Sequence, residues 1–251
     1  MDTVLKALVQ NSLHHLSPEM LSIFSFLVAS FFLLLFLRIG GAAGLFCFIN
    51  LAYIISNIQV LHVAKFSFLD EPVALGTVLF AMTYLAADML VEHYGAKQAR
   101  KAIVLSFLAQ IGFTLFMVTT LAHPPLEQQT GNRTIYLAMD TLFTPAPRLM
   151  IASLIAYFIS QLLDIWLFKS ISSATNKKYI GLRTSISTLL SALADNIIFS
   201  SLAWIFLSPQ PVSFHTLIFT YILGTYVARA LVSVAGIPVM YLSYSVKENS
   251  L

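Results

Sequence analysis

The residues of this chain that could do chemistry are ionisable and amide side chains standing inside apolar runs. Asp88, Asp164, Asp195 and Arg229 each interrupt a stretch of aliphatic and aromatic residues, and so do the amides Asn50, Asn57, Gln59 and Gln161. A charge at the centre of a bilayer costs at least ~2.5–3.5 kcal/mol, so such groups bind something, carry protons or pair with one another. Helical spacing groups them. Ser153, Tyr157, Gln161 and Asp164 follow an i, i+4, i+8, i+11 pattern on one helix face. Tyr84, Asp88 and Glu92 form a second stripe, and Thr188, Ser191 and Asp195 a third with Asn196 beside it. Asn50, Asn57 and Gln59 give a fourth run its amides. Four polar stripes on four helices predict a bundle in which they converge on one central cavity.

The bland readings stand beside this. Asp88, Asp164 and Arg229 fit a structural ion-paired cluster that fixes helix register as well as a working site. Glu92 fits an interfacial position bonded to Arg100 or Lys101. Asn50, Asn57 and Gln59 fit interhelical hydrogen-bonding glue, and Tyr84 and Tyr157 fit ordinary packing. Asp195 has no partner on its own helix, which favours a functional role. Protonation of Asp88 or Asp164 is a way to couple work to a proton gradient, although buried pairing explains the same residues.

The elements that must position these groups are membrane helices. Of 251 residues 58% are hydrophobic and 10% charged, with a mean hydropathy of +0.84. Soluble domains carry roughly 25% charged residues, so this chain has too little polar surface to cover a globule in water. A bilayer core of about 30 Å takes ~20 apolar residues per helix. Seven runs qualify: 20–37, 42–66, 72–92, 102–121, 149–168, 184–207 and 214–244. Pro72, Pro124, Pro125, Pro145, Pro147, Pro209 and Pro211 mark the limits between them, and Pro238 is expected to kink or end the last. The expected fold is an all-α membrane bundle over 20–244, with a short lead-in at 1–19 and a tail at 245–251. At ~1.5 Å per residue, Asp195 and Gln161 lie about 17 Å into their runs, while Asp88, Asp164 and Arg229 gather roughly 22–24 Å from the outer face.

Orientation follows from the cations. With seven passes, Arg38, Lys97, Arg100, Lys101, Lys169, Lys177, Lys178, Arg183 and Lys247 fall on one side, and Lys6, Lys65, Arg133 and Arg148 on the other. The positive-inside rule then puts the N-terminus outside and the C-terminus in the cytoplasm.

Other chemistries find no support. The sequence has no Walker-type phosphate loop, His-Glu-x-x-His zinc motif or Gly-x-Ser-x-Gly elbow. Six scattered histidines and the single Cys47 give no metal spacing and no disulfide. No enzyme activity, cofactor or metal is expected.

Four motifs in order carry a family likeness. They are Ser56-Asn57-Ile58-Gln59-Val60; Asp88 through Glu92-His93-Tyr94-Gly95 to Ala99-Arg100; Arg148, Ala152-Ser153, Ala156-Tyr157, Ser160-Gln161 and Asp164; and Arg183, Ser191 and Asp195. From about residue 38 to 241 the chain resembles the queuosine-precursor transporter family, a branch of the vitamin uptake transporters. His93, Asn196 and a 169–183 loop poor in aromatics depart from the family pattern. The resemblance implies import, across the inner (plasma) membrane, of a 7-deazaguanine for tRNA modification: the cyano or aminomethyl precursor base, or queuine. It implies a nucleobase and the lipid bilayer as partners, with no direct nucleic-acid contact. In that setting Asp195 and Asp164 accept the base's donors, Asn57 and Gln161 read its remaining edge, Tyr157 or Tyr84 stacks on it, and Arg148 gates the outer mouth. Gln59, Asp88, Glu92, Asn196 and Arg229 complete the expected lining. The alternatives are a substrate-binding subunit energised by a separate ATPase, and an intramembrane enzyme or assembly protein. A homo-oligomer is left open.

Overall fold

The computed structural model describes residues 15–67, 72–125, 130–143 and 147–248. Helix α1, Pro18–Gln59, starts where Ser17 caps it: the side-chain oxygen accepts from the Met20 amide at 3.3 Å, and Pro18 occupies the first turn. Its 42 residues would reach about 63 Å if straight, twice a bilayer core. It folds back instead at Gly41, whose φ of 54° and ψ of −127° suit only glycine. Three contacts fix the hairpin. The Phe36 and Phe48 ring centroids are 6.3 Å apart, where a straight helix would separate them by about 18 Å. A Cβ on Gly44 would stand 1.8 Å from the Phe36 carbonyl oxygen. Glu19, at the start of the first half, accepts from the Ser67 amide beyond the second at 2.6 Å. Two antiparallel passes result, as the sequence predicts.

The second pass ends at Gln59 rather than at 66. Val63–Ala64 (β1) pairs antiparallel with Val73–Ala74 (β2), a small hairpin that the all-helical reading did not contain. Helix α2, Thr77–Tyr94, follows and ends at Gly95 (φ 86°), where the chain turns into α3, Ala96–Leu121. Every residue from 81 to 90 is buried, so α2 runs up the axis of the bundle with no face left for lipid. That position explains how it carries Tyr84, Asp88 and Glu92 across.

A 14-residue helix, α4 (Thr130–Phe143), occupies part of the connection between the 102–121 and 149–168 runs. Helix α5 spans Pro147–Ala174 and α6 Ile180–Ser201, which continues as a π-helical turn over Leu202–Phe206. Asn176, Lys177 and Tyr179 take positive φ in the tight turn between α5 and α6. A short α7 (Phe214–Thr216), a π-helical stretch (Leu217–Gly224) and α8 (Thr225–Glu248) make one last continuous pass, which runs through Pro238 without ending there.

Among the described residues, five helical runs are long and apolar enough to cross a membrane; the first is a hairpin of two halves and α2 is enclosed by the others, an arrangement that agrees with about seven spans. Large apolar side chains such as Phe31, Phe116 and Phe206 stand outward (Phe116 and Phe206 each 75% exposed), as a lipid-facing surface requires. The core forms where α1, α2 and α5 meet, around Leu45, Ile49, Met89 and Phe168.

Candidate functional site

The polar stripes meet on the inner faces of α2, α5, α6 and α8. At the centre the Asp195 carboxylate of α6 forms a buried ion pair with the Arg229 guanidinium of α8. The Ser160 hydroxyl of α5 donates to the other Asp195 oxygen at 3.1 Å and lies 2.8 Å from the Tyr84 hydroxyl of α2. One carboxylate thus ties four helices together. The Arg229 guanidinium sits over the Phe80 ring, 4.6 Å from its centroid. Tyr157 stacks on Tyr53 of α1 at 3.7 Å and 12°, and Phe80 meets Tyr157 edge-on. The Tyr157 hydroxyl bonds Ser106 of α3 at 2.8 Å. A charged pair beside stacked aromatics is the kind of environment that recognises a flat polar solute.

Amides frame this centre. Gln161 donates to the Thr83 hydroxyl at 2.7 Å and keeps its own oxygen unpaired and buried. Asn57 donates to the Tyr53 carbonyl at 2.9 Å and accepts from Ser153 at 3.1 Å. Asn196 donates to the Ile222 carbonyl and to Thr225, so it fastens α6 to the π-helical stretch before α8.

One turn further along, Asp88 of α2 and Asp164 of α5 face each other, with Ser187 and Ser191 of α6 beside Asp164. Both carboxyls are 0% exposed, neither forms an ion pair among the described residues, and the polar groups closest to Asp164 are Asp88 and the Ser187 and Ser191 hydroxyls. Another turn on, Glu92 pairs with Arg183 of α6 at 2.5 Å and accepts from the Tyr244 hydroxyl of α8 at 2.5 Å. Nearby, His93 bonds Ser243 at 2.7 Å, and Lys247 donates to the His93 carbonyl.

These pairings correct the sequence reading at several points. Arg229 partners Asp195, not Asp88 and Asp164, so the expected three-charge cluster is two separate sites. Glu92 bonds Arg183 rather than Arg100 or Lys101. The Tyr84 hydroxyl bonds Ser160, and its ring meets Phe80 edge-on. Gln59 is half-buried at the last residue of α1, and no side-chain hydrogen bond joins it to the others among the described residues. Arg148 stands in the first turn of α5, and its side chain lies outside the described residues. Arg183, counted among the peripheral cations, is 1% exposed. Tyr53 and Phe80 were not singled out, although Tyr53 stands one helical turn before Asn57 on the same face. The expected open chamber is not what the centre displays, because its polar groups touch one another directly. A cavity of about 280 Å³ lies elsewhere, between the first half of α1, the β-hairpin and α8, lined by apolar groups such as Phe26, Phe66, Val73 and Leu231.

Residues 74–243, which include α2, α3, α5, α6 and most of α8 but not α1, match the family described as "Putative vitamin uptake transporter". The chain belongs to that family. A curated relative from Bacillus subtilis (strain 168), "Probable queuosine precursor transporter", is 30% identical over 228 residues, covering 90% of this chain and 95% of its own. No solved structure matches. Membership makes the protein a multi-pass membrane transporter. The buried polar groups of α2, α5, α6 and α8 all fall inside the matched span, apart from the distal residues of α8.

Proposed function

We propose that this transporter imports a 7-deazaguanine precursor of queuosine across the inner membrane, N-terminus outside and C-terminus in the cytoplasm. The observation that carries the substrate class is the buried Asp195–Arg229 pair against Phe80 and the Tyr53–Tyr157 stack. A guanine-like base presents ring N–H and exocyclic amine donors on one edge and a carbonyl acceptor beside them. Asp195 matches the donors, Arg229 the carbonyl, and the aromatic rings the flat faces. In the closed arrangement the two side chains satisfy each other. Binding then exchanges the internal pair for contacts to the base, which ties occupancy to a rearrangement of α6 against α8. Gln161, with its free buried oxygen, lies on the same stripe of α5 and supplies a further acceptor. The printed name of the Bacillus subtilis relative supports the same substrate class.

The cations support the orientation. Lys97, Arg100 and Lys101 on α3, and Lys247 on α8, gather at the end that carries Glu92, which the positive-inside rule makes cytoplasmic. The test is direct. A host unable to make or import these bases carries this gene and is fed each base separately, and the queuosine content of its tRNA is measured. At least one base restores queuosine. Absence of queuosine with every base, while the protein is present in the membrane, refutes the proposal.

A further inference from the structure

We propose that the Asp88–Asp164 carboxyl pair is a proton-binding site, and that one proton passes through it for each substrate imported. The coupling half of this statement rests on the transport reading above, while the proton site does not.

The charge inventory of the bundle interior is unbalanced. Among the described residues, four acids are buried or nearly so on the inner faces, Asp88, Glu92, Asp164 and Asp195, and two arginines. Each arginine is already committed, Arg183 to Glu92 and Arg229 to Asp195. The other two acids are left facing each other, fully enclosed and without a cation partner among the described residues. Two negative charges this close, with both arginines committed elsewhere, repel in a medium that screens little. The ligand small enough to enter a packed interface and remove that repulsion is a proton, and a carboxyl sharing one donates to its neighbour. A pair committed only to structure would be met by a cation, as the other two acids are by the two arginines, whereas the groups beside Asp164 are the neutral Ser187 and Ser191 hydroxyls.

Placement gives the site a route. On α2, Tyr84, Asp88 and Glu92 stand at four-residue steps, each a rise of about 6 Å. On α6, Asp195, Ser191, Ser187 and Arg183 repeat the same step, and all four are buried. Ser160 and Asp164 make one such step on α5. The carboxyl pair therefore lies between the central Asp195–Arg229 site and the Glu92–Arg183 pair, with the Ser187 and Ser191 hydroxyls alongside. When the central site is open to the outside, water there delivers a proton: carboxylate and hydronium give carboxylic acid and water. When the Glu92 end opens, the reverse transfer to water releases it. Groups placed to modulate this titration are Glu92 and His93 on α2, Arg183 and Asp195 on α6, and Arg229 and Lys247 on α8. The α3 cations Lys97, Arg100 and Lys101 and the α1 cation Arg38 stand further out, exposed at the same end. Tyr53 of α1, Tyr84 of α2 and Tyr157 of α5 lie on the side of the central site, and Tyr94 of α2 and Tyr244 of α8 at the Glu92 end.

Two measurements on the purified full chain test this. The first is infrared spectroscopy at neutral pH, with no substrate added. The wild type is expected to show a deuterium-sensitive carboxylic acid C=O band that is lost in both Asp88→Asn and Asp164→Asn and kept in Asp164→Glu. No such band in the wild type, or a band unchanged in both Asn variants, overturns the proton site. The second uses proteoliposomes and labelled 7-cyano-7-deazaguanine, comparing counterflow at equal pH with accumulation under a one-unit gradient, acid outside. One proton per substrate gives about tenfold accumulation in the wild type. In the Asn variants the accumulation ratio is expected to fall to one, whatever their exchange rate, and Asp164→Glu to restore it. Wild-type counterflow with no response to the gradient overturns the coupling. No wild-type counterflow at all refutes the substrate reading instead, and the infrared result then decides the proton site alone.

Discussion

Removing the charge at Asp195 should expose how much the central ion pair holds the closed bundle together. Asp195 is 2% exposed, and the Arg229 side chain 15%. Breaking a buried pair by removing one partner costs about 3–5 kcal/mol, because the other charge stays buried and alone. In Asp195→Asn the new amide oxygen can still accept from Ser160, and Arg229 keeps the Phe80 face, which contributes ~1–2 kcal/mol on its own. The expected loss therefore sits at the low end, about 3 kcal/mol. Arg229→Met also removes one partner and should lose a similar ~3 kcal/mol. The double variant buries no unpaired charge, so its loss should be about 3 rather than about 6 kcal/mol, a coupling near the upper end of measured cycles. The assay is reversible unfolding of the purified protein by SDS titration in mixed micelles. Losses that add to within ~0.5 kcal/mol would mean the two groups are not coupled, and the reasoning would fail.

Other outcomes follow from the same geometry. Gly44→Ala should block the α1 hairpin, since its Cβ would meet the Phe36 carbonyl at 1.8 Å, and should cost upwards of ~3 kcal/mol; Gly112→Ala, with nothing within 4 Å, should be neutral or gain up to ~1 kcal/mol, both read by SDS unfolding. Tyr157→Phe should lose only the 2.8 Å bond to Ser106, about 1 kcal/mol, whereas Tyr157→Ala also loses the Tyr53 stack and should cost ~3–5 kcal/mol in the same titration. With Cys47 replaced by serine, a membrane-impermeant maleimide should label Gln210→Cys in intact cells and Lys97→Cys only after permeabilisation; the opposite pattern would reverse the orientation.

How much of this could be read from the sequence depended on whether a feature is one-dimensional. The seven passes were legible because each needs its own apolar run, and the turn at Gly41 because a glycine pair with Arg38 interrupts the first. The stripes on α2, α5 and α6 were legible because spacing along one helix fixes a face. Partnership across helices was not. Asp88, Asp164 and Arg229 share a depth, but depth does not say how each helix is rotated about its axis, and Arg229 faces α6 rather than the α2–α5 seam. Arg183 stands four residues into α6, where a cation usually reaches the interface, yet Glu92 and the Phe168 ring draw it inward. The β1–β2 hairpin rests on two residues per strand, too short to leave an alternating pattern. Tyr53 and Phe80 are aromatic residues in aromatic-rich runs, and only the fold distinguishes them from their neighbours.

The central claim is that Asp195 contacts the transported base as well as Arg229. Initial uptake of labelled 7-cyano-7-deazaguanine should be measured in cells that cannot synthesise it, comparing wild type with Asp195→Asn at matched protein level in the membrane. Loss of a charged hydrogen-bond partner weakens binding by about 1.5–3 kcal/mol, so uptake at subsaturating base should fall about tenfold or more. Wild-type rates in Asp195→Asn would contradict the account.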